Sequence, residues 1–159
     1  LLQTNSTDFT LAPASLDNDG GTITHAGTGT LTITSGKGAG SVSNLGGKIV
    51  SNGQAVLSAG SLDNTGGAIG GHGSLGLTIA GTLDNTQGQL ASNGDLGVTS
   101  GGLLTNTGGV IDTSGKGTVQ AASLKNDGGG SITAGQTLTA NIRGALANDG
   151  DKSSAQPVT

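Results

Sequence analysis

Histidine and aspartate are the side chains of this sequence with the widest range of chemistry. The chain has two histidines, His25 and His72, and ten aspartates among its 159 residues. Neither histidine has a second His or a Cys at the spacing of a metal site. If each sequence repeat forms one coil of a stack, the two stand about two coils apart, roughly 10 Å. We therefore predict no metal site at either histidine and interpret His72 as a turn residue.

Two short patterns resemble ligand-binding motifs, but each lacks a residue that the chemistry needs. The stretch GGHGSLGLT is close to the calcium-binding nonapeptide G-G-x-G-x-D-x-U-x, yet Leu75 stands where the Asp ligand belongs. The stretch SGKG occurs at residues 35–38 and 114–117. A phosphate-binding P-loop would also need Gly in place of Leu31 and Ser or Thr in place of Gly38. We interpret both SGKG stretches as glycine turns with a solvated lysine.

Asp63 and Asp84 hold the same position in successive repeats, one residue before an Asn. Stacked carboxylates can share a hard cation such as Ca²⁺, which binds oxygen ligands. They can also lie on the outside as a solvated pair, and we favour this second arrangement.

The composition argues against an enzyme. Parallel β-helices that cleave polysaccharides need clustered carboxylates, or carboxylates with a basic residue, and usually aromatic platforms for the sugar rings. This chain has no Glu, Trp or Tyr, and its one Arg is Arg143. We predict no catalytic residue, no metal and no cofactor.

Large apolar residues are scarce: the chain has 33 Gly, a single aromatic residue and no Cys or Met. Such a composition borders on that of disordered chains. The net charge of −4 is small, however, and the apolar residues recur at regular intervals, so we predict an ordered repeat fold. A pI of about 4.6 argues against nucleic-acid binding. The sequence offers no apolar run long enough to span a bilayer.

The sequence repeats about every twenty residues, with one Asn at a constant place in each unit. Successive members are 26, 20, 21, 21, 20 and 22 residues apart, which indicates a repeat architecture. The Asn column comprises Asn18, Asn44, Asn64, Asn85, Asn106, Asn126 and Asn148. An Asn amide can bond both its own turn and the Asn one coil away, so we expect this column to form a ladder at an inward corner.

Aliphatic residues and glycines keep a constant distance from that Asn. Two residues before it lie Leu16, Val42, Leu62, Leu83, Leu104, Leu124 and Leu146. Five residues after it lie Ile23, Ile49, Ile69, Leu90 and Ile111, and Ile132 comes one place later behind an extra Gly. Nine residues after it lie Gly27, Gly53, Gly73, Gly94, Gly115 and Gly135. We expect the aliphatic columns to form the core and the glycines to turn corners, often with positive φ.

Each unit contains two short pieces and one longer piece with strand character. The pieces are rich in Thr, Val and Ile, alternate with period two, and are bounded by Gly and Asn. One unit traces about 65 Å of extended chain, enough for one circuit of a narrow three-sided prism, and successive circuits stack about 4.8 Å apart. The prediction is an all-β parallel β-helix, or β-solenoid, of about six coils of 20–22 residues.

The units LDNDGGTI, LDNTGGAI, LDNTQGQL and LTNTGGVI, each followed by a Gly corner and an alternating strand, resemble filamentous haemagglutinin repeats. The resemblance covers roughly residues 16–149 and implies a right-handed β-helix. It also implies a place in a two-partner-secretion exoprotein, either an adhesin or a contact-dependent growth-inhibition effector. We accordingly expect a flank or partial coil (1–15), a repeat domain (16–149) and a C-terminal flank (150–159), all within a longer protein.

The resemblance also suggests a location and partners. It implies secretion to the surface of a Gram-negative bacterium through an outer-membrane transporter, with neighbouring repeats of the same polypeptide as partners and a cell-surface receptor as a candidate. The favoured role is a structural shaft that holds a distal adhesive or effector region away from the cell. The alternative is an adhesive surface that binds a host or neighbouring-cell receptor directly. Long insertions would favour adhesion, but the one insertion of note, residues 35–41, is small and Gly-rich.

Overall fold

The computed structural model describes residues 1–150 and shows a stack of parallel strands, a β-solenoid of about seven coils. Each full coil contributes three strands, so the chain passes three sides of the stack before it returns one level further along. The described residues contain no α-helix. The all-β parallel fold predicted from the repeat is confirmed.

The first side is a seven-stranded sheet with one strand from each coil. Its strands are β1 (Leu2–Thr4), β4 (Thr22–His25), β7 (Lys48–Ser51), β10 (Ala68–Gly71), β13 (Gln89–Ser92), β15 (Val110–Thr113) and β17 (Ser131–Ala134).

The second and third sides belong to one twelve-stranded sheet. The second side contains β2 (Phe9–Leu11), β5 (Thr30–Thr34), β8 (Gln54–Ala59), β11 (Leu75–Ile79), β14 (Leu96–Thr105), β16 (Gly117–Lys125) and β18 (Leu138–Ile142). The third side contains β3 (Leu16–Asp17), β6 (Ser41–Ser43), β9 (Ser61–Asp63), β12 (Leu83–Asp84), the C-terminal parts of β14 and β16, and β19 (Leu146–Ala147). Strands β14 and β16 continue through the corner between these sides, with a shift in register between Ser100 and Leu103.

Alternation along each strand sends every second side chain into the interior. In β11, Leu75, Leu77 and Ile79 are buried, and the residues between them lie on the outer face. Both aliphatic columns of the sequence analysis run through the stack in register, one on the third side and one on the first. The core is therefore a set of stacked aliphatic columns, which need no large aromatic ring.

Residues 1–15 add strands to the stack. Strand β1 pairs with β4, and β2 pairs with β5. The Asn spacing predicts about six coils, and this extra, partial coil brings the stack to about seven. The boundaries of the repeat domain remain a prediction, and residues 151–159 of the C-terminal flank lie outside the described residues.

The extra residues between Asn18 and Asn44 are divided between two corners. One is the corner 26–29, which corresponds to only residues 52–53 in the next coil. The other contains a short 3₁₀ turn, Ser35–Gly38, with positive φ at Gly36 and Lys37. The assignment of the whole insertion to residues 35–41 is therefore corrected, because a two-residue insertion in a Gly-rich corner leaves no separate signal in the repeat pattern.

Positive φ occurs two residues after the ladder Asn. Gly20, Gly46, Gly66, Gly108 and Gly128 have φ between 55° and 62° there. After Asn85 the place belongs to Gln87, with φ of 54°. A side chain other than Gly is strained in this left-handed region because Cβ approaches the backbone.

The corner glycines nine residues after the Asn have a different reason from the one expected. None of the six has a positive φ. A Cβ on Gly27 or Gly53 would instead overlap a backbone carbonyl of the preceding coil. Close stacking of one backbone on another therefore selects Gly in these corners.

The last of these glycines is also out of register with the others. Ala134 pairs with Thr113, so Gly135 stacks on Ser114 and Gln136 takes the place level with Gly115. The extra Gly before Ile132 causes this shift. It lets Ile132 pair in register with Ile111, but it places every later residue of the coil one position further from the ladder Asn.

The left-handed position yields a stability test. Gln87→Gly should raise the free energy of unfolding by about 0.5–1 kcal/mol, because the relief of a left-handed side chain, about 1–2 kcal/mol, is partly offset by the extra freedom of Gly in the unfolded chain. The matched control Gly66→Gln should lower it by about 1 kcal/mol. Denaturant melts measure both changes, and a Gln87→Gly variant no more stable than the parent would show that the backbone there is unstrained.

Candidate functional site

Seven Asn side chains form one ladder along a corner of the solenoid. In each of its six steps Nδ2 of one Asn donates to Oδ1 of the Asn in the next coil, at 2.7 Å. The ladder runs through Asn18, Asn44, Asn64, Asn85, Asn106, Asn126 and Asn148. All six bonds point the same way, from the N-terminal to the C-terminal coils, so the amide dipoles are aligned.

Backbone carbonyls complete the environment of each amide. Asn85 Nδ2 lies 3.3 Å from the carbonyl oxygen of Gly88 in its own turn and 3.2 Å from that of Val110 in the next coil. The side chains of Asn44, Asn64, Asn85 and Asn106 are wholly buried. Within residues 1–150 no buried side-chain nitrogen or oxygen lacks a hydrogen-bond partner. The ladder thus satisfies the polar groups that an inward turn would leave unpaired.

A second set of glycines lies directly against the ladder. Its members are Gly21, Gly47, Gly67, Gly88, Gly109 and Gly130. A Cβ at any of them would approach the Oδ1 atom of the Asn in the same turn to 2.5–2.7 Å. Two glycines follow Asn-x in most repeats, and each is required for a different reason. The first has a left-handed φ, and the second lies too close to the Asn amide to carry a Cβ.

The opposite corner holds a second inward polar column, which begins at His25. The His25 ring is wholly buried. Its Nε2 lies 3.0 Å from the carbonyl oxygen of Ser6 and 3.1 Å from that of Thr7, so this nitrogen carries a proton and donates. Its Nδ1 lies 2.9 Å from Ser51 Oγ, which also accepts a bond from the Gly53 amide.

His25 fastens the first coil to the second. The corner loop 5–8 that it contacts also accepts backbone bonds from Gly29, through Thr7, and from Thr30, through the Asp8 carboxylate. The long corner 26–29 lies beside His25, whereas the same column continues with Ser51, Gly71, Ser92 and Thr113 next to short corners. A wide corner and a large inward side chain therefore occur together.

The other sequence candidates lie apart from one another. His72 is exposed, and its Nδ1 accepts from Asn93 Nδ2 at 3.0 Å. Leu75, in the calcium-like stretch, is a core residue and offers no oxygen ligand. Lys37 lies in the turn 35–38, but the second SGKG stretch ends inside β16, where Gly117 is inward and pairs with Leu138 of the next coil. In the described part of the chain no three His, Cys, Asp or Glu side chains cluster as metal ligands would.

Aspartates at the corner after the third side bond to their own turn or to a neighbouring coil. Asp63 and Asp84 are direct neighbours in register, and the carboxylate of each accepts the amide N–H two residues later. The hydroxyl of Ser43 lowers the pKa of Asp19 below its usual value, and the Leu45 amide adds to the effect. The hydroxyl of Thr107 lowers the pKa of Asp127, with a smaller contribution from Lys125. The hydrogen bonds of these carboxylates fix the corners in which they lie.

Sequence reasoning missed the inward role of His25 and of the Ser and Thr residues below it. A signal was present, because each of these residues stands two places after the aliphatic column and therefore faces the same way in a strand. The longer corner 26–29, which makes room for the His25 ring, cannot be recognised in the sequence in the same way.

Comparison with protein-family models identifies the repeat. The model described as haemagglutinin repeat matches residues 2–37, 26–87, 73–116 and 112–159, which together span almost the whole chain. The chain belongs to the haemagglutinin repeat family.

One curated relative shares part of the repeat region. The chain is 62% identical over 73 residues to the tRNA nuclease CdiA-2 of Burkholderia pseudomallei (strain 1026b). The match covers 46% of this chain but only 2% of that protein. No solved structure matches the chain. No helix of residues 1–150 is long and apolar enough to cross a membrane.

The ladder can be tested against an exposed Asn of the same chain. Asn85→Ala removes the amide and leaves its neighbours in the ladder short of a partner, which should cost on the order of 1–3 kcal/mol. Asn93→Ala should cost well under 1 kcal/mol, because an exposed corner can bond water. Denaturant midpoints give both values, and equal costs or the reverse order would contradict the structural role of the ladder.

The His25 contact can be tested by hydrogen exchange. His25→Ala should free the loop 5–8 and reduce the protection of the Gly29 and Thr30 amides about tenfold, equivalent to about 1.4 kcal/mol. Exchange at Gly94, far along the stack, should not change. The control His72→Ala should leave the protection of all these amides unchanged. Unchanged protection in His25→Ala would contradict the role of His25 in holding the first coil to the second.

Proposed function

We propose that this chain is a structural shaft segment of a secreted or surface-exposed protein of the filamentous haemagglutinin type. The observation that carries the proposal is the uninterrupted stack, held by a hydrogen-bonded ladder from Asn18 to Asn148. Such a stack extends about 4.8 Å per coil, so about seven coils add some 34 Å of length. A segment of this kind separates what lies before it from what lies after it.

The outer surface supports a spacer role over an adhesive one. Beyond residue 51 the corners between the strands of the first side and those of the second contain two or three residues each, and none carries a long loop. The depressions on the sheets are open to solvent: one of about 220 Å³ lies over Val50, Gly70 and Ala91 on the first side, and one of about 350 Å³ lies over Val56, Gly76 and Gly97 on the second. Adhesive sites usually concentrate aromatic residues and Arg, and the described surface offers only the exposed Arg143 and the half-buried Phe9.

The relative supports a place in a much larger protein. That protein is named as a tRNA nuclease, but its match to this chain covers 2% of its length and lies in repeat sequence. We therefore place no nuclease activity, catalytic residue or cofactor in this segment. By analogy the parent is exported from a Gram-negative bacterium through an outer-membrane transporter, and it carries its effector or receptor-binding region elsewhere.

A binding experiment separates the shaft from the adhesive alternative. The purified chain, labelled with a fluorophore, should show no saturable binding to bacterial or animal cells, because its surface lacks a concentrated site. The variants Ala91→Lys on the first side and Gly97→Lys on the second should behave like the parent. Saturable binding that either outward substitution abolishes, with the circular dichroism spectrum unchanged, would establish adhesion and contradict the shaft.

A further inference from the structure

His25 is the only ionisable side chain within residues 1–150 that lies wholly inside the stack. Its ring contacts three polar groups of other coils, the backbone carbonyl oxygens of Ser6 and Thr7 in the first coil and the hydroxyl of Ser51 in the third. The ring therefore joins three successive coils. These contacts lie between coils, so they do not depend on an open end of the stack.

The hydrogen bonds around the ring determine which of its nitrogens carries a hydrogen. Nε2 faces two carbonyl oxygens, so it donates. Ser51 Oγ accepts the N–H of Gly53 at 3.2 Å and lies 2.9 Å from Nδ1. A hydroxyl has one hydrogen to donate, and Nδ1 is the only acceptor among these contacts of Ser51 Oγ. Nδ1 therefore accepts, and the contacts in this corner are those of the neutral ring.

A second proton on the ring changes the hydrogen bonding of the corner at Nδ1. Nε2 donates in either form of the ring, whereas Nδ1 becomes a donor when it binds a proton. Ser51 Oγ can accept that new bond, but its own hydrogen then has no acceptor, and Ser51 is buried. A buried polar hydrogen without a partner is costly, and so is a charge out of contact with water. The charged ring therefore favours an open corner.

Two other ionisable side chains belong to the segments that pack against the ring. Loop 5–8 contains Asp8, whose Oδ1 accepts the N–H of Thr30. Strand β7 contains Lys48, which is exposed at the opposite end of the strand from Ser51. Strand β1 and the corner 26–29 contain no ionisable side chain. The hydrogen bonds of the ring are thus all to neutral groups.

Two backbone amides beside the ring report whether loop 5–8 is closed. The N–H of Gly29 donates to the carbonyl oxygen of Thr7 at 3.0 Å, and that of Thr30 donates to the Asp8 carboxylate at 2.8 Å. The Asn ladder lies at the opposite corner of the coil, and the aliphatic columns fill the interior between the corners. The loop can therefore be released while the rest of the stack stays folded.

We propose that His25 is a pH-sensitive latch, which holds loop 5–8 against the corner 26–29 while its ring is neutral and releases the loop when Nδ1 takes up a proton from water. An imidazole in water takes up this proton as the pH falls from about 8 to about 5. The open corner then binds more protons than the closed corner, so a fall in pH shifts the equilibrium toward the open form. The latch is complete near pH 8 and weakens toward about pH 5.

Hydrogen exchange of the full chain over this pH range tests the latch. After correction for the intrinsic effect of pH on exchange, protection of the Gly29 and Thr30 amides should fall about tenfold between about pH 8 and about pH 5. Protection of the Gly94 amide, far along the stack, should stay constant. The ¹⁵N shifts of the His25 ring, recorded on the same samples, should show Nδ1 gaining its proton over the same interval.

Three variants identify the group that senses pH. His25→Gln keeps one donor and one acceptor at every pH, so protection in this variant should not change with pH. Asp8→Asn keeps an oxygen acceptor for Thr30 but has no titratable group, and His72→Ala removes the exposed imidazole. Both controls should retain the tenfold fall of the parent. Circular dichroism verifies the fold of each variant.

Several results would overturn the latch. Protection in the parent that does not depend on pH is one, and a fall that persists in His25→Gln is another. Loss of the fall in Asp8→Asn would make the carboxylate the sensor, and an equal fall at Gly94 would show that the whole stack loosens. The ring shifts decide the matter even if His25→Gln does not fold, because a protonated ring with full protection at Gly29 and Thr30 would contradict release.

Discussion

A side-chain amide stacked on an identical amide in the next coil is the interaction on which this solenoid depends. A coil that repeats about every 4.8 Å places each residue directly over its own counterpart, so a buried polar column must be able to bond to itself. A carboxamide meets that condition because it carries a donor and an acceptor, whereas a buried column of Asp would stack like charges. The other features of the turn follow: Gly against the amide, a left-handed residue before it, and aliphatic columns on either side.

The stacking rule also explains why the chain can be stable with so little large apolar surface. Each aliphatic residue packs between two copies of itself, so most of its surface is removed from water although the coil is narrow. The outer positions carry small or polar residues, because no second layer covers them. Length can then be added one coil at a time without a change in cross-section, which is the property that a shaft requires.

Much of this arrangement could be predicted from the sequence because position in the repeat corresponds to position in space. The Asn ladder, the aliphatic columns and the parallel strands all follow from the twenty-residue period. Insertions within single coils were harder to predict from the sequence. The extra Gly before Ile132 and the longer corner beside His25 each keep the strands in register, so a pattern that counts from one Asn misplaces Gly135 and misses the space for an inward ring. The two reasons for paired Gly also look identical in sequence, and only backbone angles and contacts separate them.

The ladder itself can be observed by nuclear magnetic resonance in the isotopically labelled chain, through scalar couplings transmitted across hydrogen bonds. The structure predicts a coupling from Nδ2 of each ladder Asn to Cγ of the Asn in the next coil, in one direction only, from Asn18 through Asn148. The side-chain amides of Asn44 through Asn106 should also exchange slowly with solvent. Rapid exchange at those amides, with no coupling between successive Asn residues, would contradict a stack held in register by its asparagines.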